Sequence, residues 1–269
     1  MNPQLPHERR VEVARSIYRS PGAIKFGLFK LKSGKLSPYY IDLRTLPSYP
    51  ENFRAIVQQA VWFFEQTFNK EDYDFIYSTA TAGLLWGSPL ALLLNKPHAY
   101  FRKDPKLHGR SRVFEGDIPP GSRGILHDDL CSTLSTAIEA KDTAENEGMK
   151  IIAYVPIFDR KQYSQAELEK LGTNLYSLID IYEFVGIGVE INELSSDIAN
   201  DIITYHNNEA LYALKTVREN PEWIRNDPKK EEILEGYKNA QDYAVKSGDK
   251  EMAERFGEVV VEVQKIIQS

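Results

Sequence analysis

The sequence predicts an α/β fold: a mainly parallel sheet flanked by helices, with a small N-terminal hood and a C-terminal helical extension. Three observations carry that expectation. Short apolar runs at 73–77, 99–101, 124–126 and 151–158 alternate with helical patterns long enough to cross back over a sheet. Each run is followed by small, hydroxyl or charged residues, and the carboxyl ends of parallel strands are where such sheets bind ligands. Beyond about residue 207 the strand-like runs stop and only helical patterns continue.

The elements follow from local pattern. Residues 8–19 place Val11, Ala14, Ile17 and Tyr18 at helical spacing, and Ser20-Pro21-Gly22 ends that helix. Phe26, Leu28, Phe29 and Leu31 give a partly alternating strand, Ser33-Gly34 a turn, and residues 39–43 a second strand. This hairpin, a hood within about residues 20–45, is expected to present Lys32, Tyr39 and Tyr40 on its exposed edge. Adjacent aromatics beside a lysine can sandwich a flat anionic ring, although Tyr-Tyr on a strand also fits plain β-propensity and packing. Residues 50–68 form a long amphipathic helix, with Phe53, Ile56, Val57, Ala60, Val61 and Phe64 on one side. After the strand at 73–77, STATAG is a small-residue loop that lets backbone approach a ligand.

The run RKDPKLHGRSR at 102–112 is the densest basic stretch, with Arg102, Lys103, Lys106, His108, Arg110 and Arg112 against Asp104 alone. With the polar residues up to Gly121 it reads as a long mobile loop. A charged loop is most often only solvated, yet cations on a lid suit a polyanion such as pyrophosphate.

The segment RGILHDDLCSTLST then runs a short strand into Asp128 and Asp129, followed by Ser132, Thr133, Ser135 and Thr136 and a helix from Ala137. Acids there accept hydrogen bonds from ribose hydroxyls, while turn amides and hydroxyls donate to a phosphate at the positive end of a helix. An ordinary capped helix after a buried strand gives the same pattern. The run at 151–158 ends at Asp159-Arg160, where an arginine can clamp a carboxylate. A last strand at 175–179 and a helix near 191–205 close a first domain at 1–206. The extension, 207–269, opens with Leu211, Leu214 and Val217 on a helix. Two more helical patterns follow at 231–246 and 249–267, with Gly248 as a helix stop and Asp249 as a start cap.

Composition narrows the class. In 269 residues, 42% hydrophobic and 27% charged, the formal net charge is -6. That balance is expected of a globular chain that adheres to neither nucleic acid nor an anionic membrane, so any anion site must be a local basic cluster. The longest apolar stretch, near 84–94, is too short to span a bilayer. A lone cysteine, Cys131, rules out an internal disulfide, and MNPQLPHERR lacks the apolar core of a signal peptide, so cytoplasm is the expected compartment.

Over roughly residues 8–200 the chain resembles the orotate phosphoribosyltransferases, of the type I phosphoribosyltransferase fold. KFGLFKLKSGKLSPYYIDL is similar to the family's hood, which implies that Lys32, Tyr39 and Tyr40 contact orotate. RKDPKLHG is similar to its catalytic loop, which implies roles for Arg102, Lys103, Lys106 and His108. HDDLCSTLST resembles the phosphoribosyl pyrophosphate (PRPP) motif, with Asp128 and Asp129 as its acids, and Arg160 matches the arginine that meets the orotate carboxylate. The resemblance further implies Mg2+ bound mainly through PRPP, and a homodimer whose basic loop reaches the neighbouring subunit's site. It also departs at one point. The family's phosphate turn carries glycine where this chain has Leu134, between Ser132-Thr133 and Ser135-Thr136. A leucine held in a left-handed conformation costs about 1–2 kcal/mol. That departure motivates an alternative expectation, a catalytically impaired relative that binds or senses a nucleotide or pyrimidine.

Overall fold

The computed structural model describes residues 3–102 and 113–269. In chain order the elements begin with α1 (His7–Tyr18), β1 (Ile24–Lys30), β2 (Leu36–Ile41), a 3-10 turn (Leu43–Ser48) and α2 (Pro50–Thr67). The sheet region follows as β3 (Phe75–Thr79), α3 (Ala82–Leu94), β4 (His98–Phe101), β5 (Phe114–Glu115), β6 (Arg123–Cys131), α4 (Ser135–Asn146) and β7 (Lys150–Asp159). Next come α5 (Gln165–Leu171), β8 (Asn174–Leu175), β9 (Ile179–Asp180), α6 (Ile181–Glu190) and α7 (Ser196–Asn207). The chain finishes with α8 (Glu209–Glu219), α9 (Pro221–Asn226), α10 (Lys230–Ser247) and α11 (Lys250–Gln268).

Two compact units are present: one of residues up to Ile24 with Asp42–Glu193, the other of Lys25–Ile41 with Leu194–Ser269. The expected break at 207 therefore differs from this division. Hood strands and α7 belong with the C-terminal helices, because their buried faces are filled from that part of the chain.

The first unit is the α/β part. Its sheet runs β5-β4-β3-β6-β7-β8, with β9 also on β7, and only the β4–β5 pair is antiparallel. The central strands are buried on both faces, as parallel strands covered by helices must be. One face carries Phe75, Tyr77, Leu126 and Tyr154 against Leu134, Ala137, Ile138, Ala140 and Ala144 of α4 and its approach. Alternation sends Ile76, Ser78 and His127 to the other face, where Phe64 of α2 meets the His127 ring edge-on at 5.7 Å.

Three expectations change here. The strand at 124–126 is longer than its apolar core, since β6 pairs with β7 out to Cys131, so the acid pair lies within the strand. Polar residues at a strand's carboxyl end keep the ladder while breaking the hydrophobic pattern. The helix expected near 191–205 is α7, which begins at Ser196 because the Ser195 side chain accepts from Ile198 N; a separate helix, α6, started by Asp180, precedes the expected span. The described part of the expected loop, up to Gly121, also includes the short strand β5.

The second unit joins the β1–β2 hairpin to α7–α11. Its core is lined by α11, where Ala253, Phe256, Val259, Val260, Val263 and Ile266 recur at helical spacing. Gly248, at φ +80°, ends α10, and the Asp249 side chain accepts from Met252 N, as the sequence indicates. Among the described residues no helix is long and apolar enough to cross a membrane.

Candidate active site

Four parallel strands deliver their carboxyl ends to one edge of the first unit. Register places Thr79 beside Phe101, Ser78 beside His127, Asp128 beside Pro156 and Cys131 beside Asp159. Thr79, Arg102, the acid pair and Asp159-Arg160 therefore emerge together. Backbone bonds hold the ends: Ala80 N donates to Phe101 O at 2.7 Å and Arg160 N to Cys131 O at 2.8 Å.

Asp128 is buried, and both its oxygens are occupied. Thr79 Oγ1 donates to Oδ2 at 2.6 Å, and the Asp129 backbone N–H donates to Oδ1 at 2.9 Å. Burial, then the adjoining Asp129 carboxyl, pushes the Asp128 pKa well above the usual carboxylate range. Asp129 is raised as well, by burial first, while the nearby Arg44 guanidinium acts in the opposite sense. Arg44, on the 3-10 turn, is oriented by Asp42, whose two oxygens accept from its Nε and Nη2 at 2.6 and 2.7 Å. Two adjacent acids near the carboxyl end of a strand form a group that accepts hydrogen bonds from vicinal hydroxyls and attracts positive charge.

Directly after β6 the turn Ser132–Leu134 leads into α4. Thr133 and Ser135 hydroxyls lie 3.2 Å apart and are exposed, with Ser132 and Thr136 half-buried. Leu134 occupies the N-cap position and provides no side-chain cap. The first-turn amides of α4 thus face the turn at the positive end of the helix.

The leucine itself is fully buried, 0% exposed, within the core beneath α4, and its φ of -87° is ordinary right-handed backbone. A left-handed strain at this position does not arise. The side chain leaves the turn toward the core, so the hydroxyls and amides around it are unobstructed by it.

No family model matches the chain. Similarity to individual proteins is clear. The orotate phosphoribosyltransferase of Saccharolobus solfataricus is 36% identical over 179 residues, covering 66% of this chain and 89% of that protein. Its counterpart from Sulfolobus acidocaldarius is 34% identical over 166 residues, covering 62% and 82%. The chain belongs to the orotate phosphoribosyltransferase family. Among solved structures, the Leishmania donovani UMP synthase matches with a TM-score of 0.63 at 28% identity, over 73% of this chain and 42% of that one. The Aeropyrum pernix orotate phosphoribosyltransferase matches at 0.55 and 25% identity, over 67% and 99%. The chain is thus a phosphoribosyltransferase enzyme with the type I fold.

Within this family member, the residues singled out in the sequence fall into three groups. Asp128, Asp129, Ser132, Thr133, Ser135, Thr136, Arg102 and Arg160 share the strand-end edge of the first unit. Lys103, Lys106 and His108 lie outside the described residues. Lys32, Tyr39 and Tyr40 belong to the second unit. There the expected shared edge does not hold. Tyr40 is 40% exposed and packs near Phe29, but Tyr39 is fully buried, its hydroxyl 2.9 Å from His206 Nε2. Neighbours on a strand point to opposite faces, so Tyr-Tyr cannot present both rings on one.

Sequence patterns missed Thr79 as a hydrogen-bond donor, Arg44, and the support around Arg160. Asp159 is buried and accepts from Lys161 N at 2.7 Å and Tyr163 OH at 2.8 Å; burial raises its pKa against those bonds. STATAG was the available signal for Thr79. Nothing local marks Arg44.

Proposed function

We propose that the protein transfers the phosphoribosyl group of PRPP to orotate, releasing pyrophosphate and forming orotidine 5'-monophosphate. One observation carries the reading: the acid pair lies near the carboxyl end of β6, two residues before the uncapped hydroxyl turn, and Leu134 is withdrawn into the core. In the reaction the bond from the anomeric carbon to the diphosphate oxygen breaks, and a ring nitrogen of orotate bonds to that carbon and loses its proton. Positive charge develops on the ribose ring as the bond opens.

Asp128 and Asp129 accept from the ribose hydroxyls and sit where that charge builds, which is electrostatic stabilisation by groups already in place. Ser132, Thr133, Ser135, Thr136 and the first amides of α4 hold the 5'-phosphate. Arg160 pairs with the orotate carboxylate, with Lys32 and Tyr40 at the ring and Tyr39 supporting Tyr40 from beneath the hood strand. Arg102, Lys103, Lys106 and His108 neutralise the departing diphosphate, and positioning supplies much of the rate. The working assembly is a cytoplasmic homodimer in which the basic loop serves the neighbouring site.

Among the described residues, no cluster of three or more His, Cys, Asp or Glu stands ready to hold a metal ion. A magnesium ion held mainly by PRPP and water, with the half-buried Asp129 carboxylate beside it, would supply charge neutralisation at the diphosphate. The test is orotate consumption by purified protein with PRPP and magnesium. Consumption with release of pyrophosphate supports the assignment, and a folded protein that binds orotate without consuming it refutes it.

A further inference from the structure

The hood turn is built onto the C-terminal helices. Leu31 N donates to Lys35 O at 2.8 Å and Gly34 N to Leu31 O at 2.9 Å, closing a tight turn with Lys32 exposed at its tip. Against that turn lies α10, at a contact that only glycine permits on both sides. A Cβ on Gly236 would lie 2.4 Å from Ser33 O and 2.8 Å from the Gly34 carbonyl carbon. One on Gly34, at φ +83°, would lie 1.9 Å from Glu232 O. These are backbone atoms, which have no side-chain freedom to yield.

Three further ties surround the glycine contact. The buried Tyr237 hydroxyl accepts from Leu36 N at 3.0 Å. Lys30 Nζ reaches Asp227 Oδ1 and Lys229 O, both at 3.1 Å, and Glu232 Oε2 at 3.3 Å. Lys35 Nζ reaches Glu209 Oε2 at 2.8 Å. So the lysines before and after the turn are spent on the helices, while Lys32 has no ion pair among the described residues. A hairpin of two strands is marginal by itself, and here each side of the turn is anchored.

We propose that α10 is a template for the hood turn, with Gly236 and Tyr237 as positioning residues that set where Lys32 stands and hence the affinity for the base. This deepens the reading in which Lys32 and Tyr40 meet orotate and rests on it. It assigns a role to a segment that lies beyond the residues resembling the family. Misplacing a binding group by about an ångström can cost up to a hundredfold.

The test pairs kinetics with hydrogen exchange in the full chain. For Gly236→Ala and Tyr237→Phe, KM for orotate is expected to rise by about tenfold or more, with KM for PRPP nearly unchanged. Amide exchange across residues 31–36 should quicken in both, whereas Lys238→Ala, exposed on the same helix, should change neither readout. Tyr237→Phe keeps the ring and so reports even if Gly236→Ala fails to fold. Unchanged exchange at 31–36, or an equal rise in both KM values, overturns the template. If the wild-type protein consumes no orotate, the parent assignment fails by itself, and the exchange measurement still decides whether α10 holds the turn.

Discussion

Thr79 Oγ1 donates a 2.6 Å hydrogen bond to Asp128 Oδ2, joining the end of β3 to the acid pair on β6. The approach is close because Gly83, in the first turn of α3, has no side chain. A Cβ there would lie 2.7 Å from Asp128 Oδ1 and 3.2 Å from Thr79 Oγ1. Gly83→Ala should therefore displace the acid and lower kcat/KM for PRPP. Thr79→Val leaves a buried acceptor without its donor and should lose on the order of 1–3 kcal/mol of stability, read by urea unfolding. Steady-state kinetics with varied PRPP checks Gly83→Ala, and wild-type values there would contradict the geometry.

Leu134 offers a separate check on the phosphate turn. Because the side chain fills the core beneath α4 with an unstrained backbone, Leu134→Ala should destabilise the fold by about 2–5 kcal/mol. Leu134→Gly should be less stable still, since it adds backbone freedom to the unfolded chain, and should bring no gain in turnover. Urea unfolding and the orotate assay measure the two outcomes. A Leu134→Gly protein that is as stable and more active would show that the leucine obstructs the site.

His127 makes the fold sensitive to acid. Its Nδ1 must carry the proton, because the partner at 2.5 Å is the Val155 carbonyl oxygen, and Nε2 is buried with no hydrogen-bond partner among the described residues. Burial lowers the pKa to about 4 from 6.5. The unfolded chain thus binds a proton between those values while the folded one does not, so this contribution is full above about 6.5 and is lost as pH falls toward 4. Raised carboxyls such as Asp159 act in the opposite direction, so the comparison is with His127→Phe. Between pH 7 and 4.5 the wild-type protein should lose more melting temperature than the variant does; parallel curves would contradict the assignment.

Asp129→Asn tests the coupling of the acids. Burial and then the Asp129 charge hold the Asp128 pKa up. Asp128 therefore takes up its proton as pH falls through a raised value, and PRPP binding should weaken there. Removing the Asp129 charge should move that acid limb to lower pH, although burial keeps it above an ordinary aspartate. A limb that stays in place or moves upward contradicts the coupling.

The parallel sheet was legible because its strands are continuous apolar runs between amphipathic helices, and the acid pair because two carboxylates at such a run's end are conspicuous. Leu134 was misjudged for a physical reason. Its position in a motif gives no backbone angle, and an apolar residue among hydroxyls belongs equally to a turn or to the core below it. Tyr39 and Tyr40 were grouped by adjacency, although the strand period separates them. The hood's attachment to α10 depends on Gly34 and Gly236, about two hundred residues apart, and two isolated glycines carry no sign of their contact.

The central claim is that the twin aspartates and the hydroxyl turn hold PRPP with Leu134 out of the way. Titration calorimetry of PRPP with magnesium into wild-type protein and Asp128→Asn/Asp129→Asn tests it most directly. Saturable binding to wild type, weakened at least roughly tenfold in a double variant that still folds, is the predicted result. A folded wild-type protein that binds no PRPP, or a double variant that binds it equally well, would contradict it.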